Sequence, residues 1–146
     1  MKVRQITNVG LYLIKYFESF RATPYVCSSG YLTVGFGHVI LKGEQFGELT
    51  EEDALTLLSQ DVKVGERSVC TLINVPLEDY QYDALVSFTF NVGGGAMQRS
   101  TLRQKVNRQE HYAVPDEFGR WIWGGGRRLA GLVKRRLAEA NLYEGD

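Results

Sequence analysis

Tyr31-Leu32-Thr33-Val34-Gly35-Phe36-Gly37-His38 is the stretch on which the fold turns. It mixes β-branched and aromatic residues and is punctuated by glycine, which predicts the strands of a small hairpin sheet. The chain on its C-terminal side changes period. Thr50 stands as an N-cap before Glu51, Glu52 and Asp53, acidic residues that a helix N-terminus favours. Asp53, three residues after Thr50, has the spacing of a reciprocal capping box. Ala54, Leu58, Val62, Gly65 and Val69 then recur at helical spacing, predicting a helix that runs to Ile73. A helix of that length reads as a strut between two lobes. On the N-terminal side, Leu11, Ile14 and Phe17 share a face of a helix over Val9–Phe17, and Pro24 with Ser28-Ser29-Gly30 breaks the chain before the sheet.

Further helices follow. Glu78–Val92 carries Leu77, Ala84, Leu85 and Phe88 inward and ends at Gly93-Gly94-Gly95. Ser100 caps a helix to Arg108, another surrounds Phe118 and Trp121 with Pro115 at its start, and Gly124-Gly125-Gly126 breaks it. The last runs from Gly131 to Tyr143 with Leu132, Leu137, Ala138 and Leu142 as its apolar stripe. The order is helix, small sheet, five helices. The fold class is α+β, mostly α.

The 146 residues suffice for one ordinary domain or two small lobes sharing a core. With 44% hydrophobic and 23% charged residues the chain is expected to fold as a soluble protein. Formal charge is zero but unevenly spread: +2 over residues 1–50, −6 over 51–92 and +4 over 93–146. The basic last third suits an anionic polymer or is a solvated surface; charge alone does not choose. A neutral chain without a recognisable module does not read as a DNA binder. The apolar run Val9–Phe17 is too short to span a bilayer and no small-residue cleavage site follows it. Synthesis in a cytoplasm without a signal peptide is the expectation. Cys27 and Cys70 make no disulfide framework, and with His38 and His111 they lack metal-ligand spacing. No nucleotide or flavin motif is present, so no cofactor is expected.

Among the carboxylates, Glu18 is distinctive. It lies in Tyr16-Phe17-Glu18-Ser19-Phe20, at the end of an apolar helix, where an apolar setting disfavours ionisation. A carboxyl kept protonated near neutral pH is what protonation of a glycosidic leaving oxygen needs. Taken alone, a Glu beside aromatics is more often half-exposed and structural.

Glu18, Cys27 and Thr33, eight and five residues apart, resemble the Glu–Asp/Cys–Thr triad of phage-type lysozymes, glycoside hydrolase family 24. Gly35-Phe36-Gly37-His38 looks like that family's sheet motif. The run Asp79–Phe88 with Asn91-Val92-Gly93 looks like its core helix, and Ser100-Thr101-Leu102 like the start of the next. Trp121–Gly126, Gly131-Leu132-Val133, Arg135-Arg136 and Glu139 resemble its C-terminal signature. The matches cover roughly Val9 to Tyr143.

The resemblance implies one lysozyme domain over 1–146: an N-terminal lobe with a small antiparallel sheet (about 15–55), a connecting helix (about 51–73) and a helical lobe (about 74–146). It implies an endolysin that cleaves the β-1,4 bond between N-acetylmuramic acid and N-acetylglucosamine, passes the membrane with a holin-type partner and acts on periplasmic peptidoglycan as a monomer. Glu18 would be the general acid, Thr33 would help hold the attacking water, and Cys27 stands where many members have a second carboxylate. A thiol is a poor oxygen-type base, so Cys27 is open between thiolate, weak polar contact and shape element. Asn91, Ser100 and Thr101 are candidates for substrate contacts. For Asn91 and Ser100 the alternatives are helix-end and capping roles. Trp121 and Trp123 either stack on sugars or pack the core. The family sets an Arg of the last helix against the catalytic Glu, and Arg135 and Arg136 are equally placed for it in sequence. Rival readings are a lytic transglycosylase, a wall-binding protein without activity, and a Cys peptidase built on Cys27 and His38, against which His38 reads as structural and paired to a carboxylate.

Overall fold

The computed structural model describes residues 3–27 and 29–145. Ser28, within the predicted break, lies outside them. Helix α1 (Asn8–Glu18) leads into a three-stranded antiparallel sheet of β1 (Arg21–Val26), β2 (Leu32–Gly35) and β3 (His38–Val39), in that order. Helix α2 (Glu51–Leu72) follows, then α3 (Asp79–Val92), α4 (Gly94–Arg99) and α5 (Thr101–Asn107). A 3-10 turn at His111–Ala113 precedes α6 (Val114–Phe118), a hairpin of β4 (Trp123–Gly124) and β5 (Arg127–Arg128), and α7 (Ala130–Tyr143).

The sheet forms where glycine and β-branched residues predict it, but it has one strand more. Pro24 does not break the chain; it sits inside β1. β1 is an edge strand, so a residue without an N–H can be accommodated on its outer side. The register is irregular there: Arg21 faces Gly35 while Tyr25 already faces Thr33.

Helix α2 is the predicted strut. The Thr50 side chain accepts the Asp53 N–H at 3.0 Å, the acidic first turn faces the dipole, and Ala54, Leu58, Val62, Gly65 and Val69 are all buried. The full reciprocal capping box forms elsewhere, between Glu78 and Gln81 at the start of α3. Along its length α2 packs on β2 and β3 and on α3 and α4.

Helix α3 is the centre of the core. Every residue from Tyr82 to Thr89 is buried, not only the predicted inward set, because α1, α2, α4 and α7 pack around it. Leu77, just before it, is only partly buried. Gly93 ends α3, as expected of a residue at φ 95°, but Gly94 and Gly95 open α4, a helix the triple glycine concealed. Helix α6 stops at Phe118, short of Trp121. The second triple glycine is a hairpin turn: Gly125 and Gly126 take φ of 58° and 78°, the positive values a two-residue hairpin needs.

Helix α7 overturns a second expectation. Its buried face is Arg135, Arg136, Glu139, Ala140 and Tyr143, whereas Leu137 is 61% exposed. Leu142 does pack on the core and Leu132 and Ala138 are partly buried, but the buried positions 135, 136 and 139 carry an ion network where the sequence predicts Leu137 inward.

Candidate active site

Glu18 closes α1, and Ser19, at a φ of 57°, turns the chain into β1. The carboxylate is thereby carried from the helical side of the molecule to the sheet. Its Oε1 accepts from Arg135 Nη1 at 3.0 Å. A Cβ built at Gly37, in the turn between β2 and β3, would lie 2.7 Å from Oε2, so glycine is what lets the carboxylate lie against that turn. Phe17 holds its ring 5.7 Å from the Arg135 guanidinium. The expected apolar setting for Glu18 is therefore corrected: one carboxylate oxygen faces a guanidinium and the other lies against the Gly37 turn.

Arg135 is the arginine of the pair that reaches Glu18, and it is itself only 4% exposed. Its Nε faces Glu139 Oε2 at 3.3 Å and its Nη2 donates to the Ser87 carbonyl at 3.2 Å. Ser87 Oγ donates to the same Glu139 oxygen at 2.6 Å. Arg136 donates to the other Glu139 oxygen, to Asn91 Oδ1 and, at 3.0 Å, to the Trp121 carbonyl. Burial pulls the pKa of Arg136 below its ordinary value against the opposing pull of Glu139. The whole set is a buried charge cluster that joins α1, α3 and α7. Sequence reading gave Ser87 and Glu139 no role. The available signal was spacing: Glu139 is four residues from Arg135 and three from Arg136, so all three share a helix face.

Cys27 and Thr33 meet on the sheet. The Thr33 hydroxyl donates to the Tyr31 carbonyl at 2.9 Å and lies beside the Cys27 sulfur. The neighbouring Thr33 side chain first, then the Tyr31 and Ser29 backbone, hold the thiol below its ordinary pKa. The effect favours thiolate at a half-buried position. Both cysteines are free thiols, and Cys70 is exposed on the distal turns of α2.

His38 is structural, as the sequence reading had it. Nδ1 contacts Asp61 of α2 at 2.8 Å and Nε2 contacts Glu44 at 3.0 Å. Both ring nitrogens are taken, which leaves none to activate the Cys27 thiol. Burial lowers the imidazole pKa, but the bonds and charges of Asp61 and Glu44 outweigh it and the net shift is upward. The two acids move in opposite directions. Burial raises Asp61, while the Leu41 N–H and then His38 lower Glu44.

The three candidate contact residues separate. Asn91 is exposed and lines a groove of about 480 Å³ with Arg120, Trp121, Trp123 and Leu132. Ser100 is 3% exposed, with its hydroxyl donated to the Met97 carbonyl and accepting from Arg103 N; it caps α5. Thr101 beside it is exposed. Trp121 packs edge-on against Phe88 at 5.5 Å and belongs to the core margin; Trp123 is 63% exposed on the hairpin.

A part-exposed carboxylate held by a buried arginine at the junction of a small sheet and a helical body, with a hydroxyl and a thiol on the sheet, can supply the acid for glycoside cleavage. The phage lysozyme family model matches residues 15–139, and the chain belongs to that family. Endolysin of Acyrthosiphon pisum secondary endosymbiont phage 1 is 38% identical over 144 residues, covering 95% of this chain and 97% of the relative. Endolysin of Bacillus phage B103 is 39% identical over 140 residues, 94% of this chain; the chain spans only 53% of that relative's length. Among solved structures, the muramidase domain of SpmX from Asticaccaulis excentricus superposes with a TM-score of 0.87 at 32% identity, covering 96% of this chain and 98% of that one. The chain thus shares the family of phage lysozymes and the fold of a solved muramidase domain.

Proposed function

We propose that the protein is an endolysin that hydrolyses the β-1,4 bond between N-acetylmuramic acid and N-acetylglucosamine during lysis of a bacterial host. Glu18 protonates the leaving oxygen. Thr33 holds the attacking water, and Cys27, its thiol biased toward thiolate, assists from the position of a second carboxylate. The observation that carries this reading is the pairing of Glu18 with Arg135 at 3.0 Å while its other oxygen lies against Gly37. Asn91 and Thr101, with exposed side chains, are the proposed substrate contacts; Ser100 contributes through the cap.

In the same reading the chain is one lysozyme domain, a sheet lobe (about 15–55) and a helical lobe (about 74–146) linked by α2, and it acts as a monomer. No helix among the described residues is long and apolar enough to cross a membrane. Synthesis in the host cytoplasm and passage through a holin-type pore is the route proposed.

Digestion of purified peptidoglycan with this protein and with Glu18→Gln, read by mass spectrometry, tests the proposal. Reducing muramic acid ends from the wild type and none from the variant are expected. Anhydro ends would make it a lytic transglycosylase, new peptide termini a peptidase, and retained wall binding without cleavage a binding protein.

A further inference from the structure

Glu139 has no exposed surface, yet it is a carboxylate 52 residues along the chain from the α3 hydroxyl that hydrogen-bonds it. A buried carboxylate is stable only when its oxygens are satisfied and its charge is matched. Glu139 is fully satisfied: Ser87 Oγ at 2.6 Å and Arg135 Nε at 3.3 Å share Oε2, and Arg136 takes Oε1. Arg135 in turn spends each end of its guanidinium on a different partner, Glu139, Glu18 and the Ser87 carbonyl. Its planar fork therefore cannot rotate without breaking a buried hydrogen bond, and the place of Glu18 is tied to that fork.

The charges close as well. Glu18 and Glu139 face Arg135 and Arg136, so the cluster is neutral with Glu18 ionised and carries one positive charge once Glu18 holds the proton it must donate. Without the Glu139 charge the protonated state would carry two, and the buried surroundings would oppose it more strongly. The charged groups facing Glu139 are the two arginines of its own helix. From α3 comes the Ser87 hydroxyl. Helix α6, which also packs on α7, commits its buried Glu117 to Arg120 at 3.4 Å. On the Glu18 side, Lys15 of α1 is taken by Glu51 at 3.3 Å.

We propose that Glu139, held by Ser87, is a positioning residue for the acid step: it fixes Arg135 against Glu18 and offsets the cationic charge that would otherwise strip Glu18 of its proton. Neither residue touches the substrate; both act through Arg135. The inference rests on the reading of Glu18 as the general acid.

The test is the pH dependence of kcat and KM on solubilised glycan fragments for wild type, Glu139→Gln, Glu139→Asp and Ser87→Ala. In Glu139→Gln, kcat is expected to fall about 10-fold to 100-fold with KM near wild type. The alkaline limb of the activity profile, where the acid loses its proton, should move to lower pH, because the cluster has lost one negative charge. Glu139→Asp, which restores the charge, should return the limb toward its wild-type position. A folded Glu139→Gln whose limb stays in place overturns the proposal, even if its activity is low, because a merely structural role predicts that result. Should Glu139→Gln fail to fold, Ser87→Ala decides: a several-fold fall in kcat at unchanged KM supports the proposal and an unchanged kcat overturns it. Absence of reducing ends from the wild type would instead strike the reading of the enzyme itself.

Discussion

An alanine at position 37 would put its methyl carbon 2.7 Å from Glu18 Oε2, on a backbone whose φ of 79° side chains rarely adopt. The backbone strain costs about 1–2 kcal/mol, but the larger effect falls on the carboxylate, which must move off the turn. Gly37→Ala is expected to lose activity out of proportion to stability, read as kcat/KM beside the thermal midpoint. Equal, small losses in both would mean that Glu18 tolerates displacement. At Cys27 the chemistry is set by Thr33. Thr33→Val, in a Cys70→Ser background, should raise the pH midpoint for alkylation of the Cys27 thiol, since it removes the polar neighbour that contributes most to the lowered pKa. Cys27→Asp should retain substantial lytic activity and Cys27→Ala lose most of it; a fully active alanine variant would reduce Cys27 to a space-filler.

Among the elements, α2 and α7 obey different rules. Helix α2 follows periodicity and capping, so Thr50→Ala should cost about 1 kcal/mol in denaturant unfolding. Helix α7 is decided by its ion network. Leu137→Glu, at a position 61% exposed, should change stability by less than about 0.5 kcal/mol although the position reads as apolar stripe. Glu139→Leu should cost about 3–5 kcal/mol because the buried Arg136 loses its counter-charge and Arg135 keeps only Glu18. Urea titration of both variants checks the pair, and the reverse ranking would restore the leucine stripe as the packing face.

For the molecule as a whole, His38 is the joint between sheet and strut. It lies on β3, Asp61 lies on α2, and Glu44 belongs to the segment between them. Its folded pKa is raised above the ordinary 6.5, so the folded protein binds this proton more tightly than the unfolded chain does. The stabilisation is complete below about pH 6.5 and fades as pH rises through the folded value. The thermal midpoint should therefore fall between pH 6 and pH 8, by less in His38→Gln than in the wild type. Identical pH profiles for the two would show that the imidazole carries no such linkage.

Local chemistry alone wrote much of this. The Thr50 cap, the repeat from Ala54 to Val69, the β-branched and glycine pattern of 31–38 and the spacing of Glu18, Cys27 and Thr33 are each set by residues near in sequence, and they were legible there. Pro24 in an edge strand, the hairpin at Gly125-Gly126 and helix α4 behind Gly93 were not, because proline and glycine mark a departure from regular backbone without saying which structure takes its place. The choice of Arg135 over Arg136, the burial of Glu139, and the partners of His38 belong to the tertiary structure alone. A buried charge is tolerated only where remote residues match it, and Glu18 and Arg135, 117 residues apart, find each other only after α1 and α7 have packed on α3.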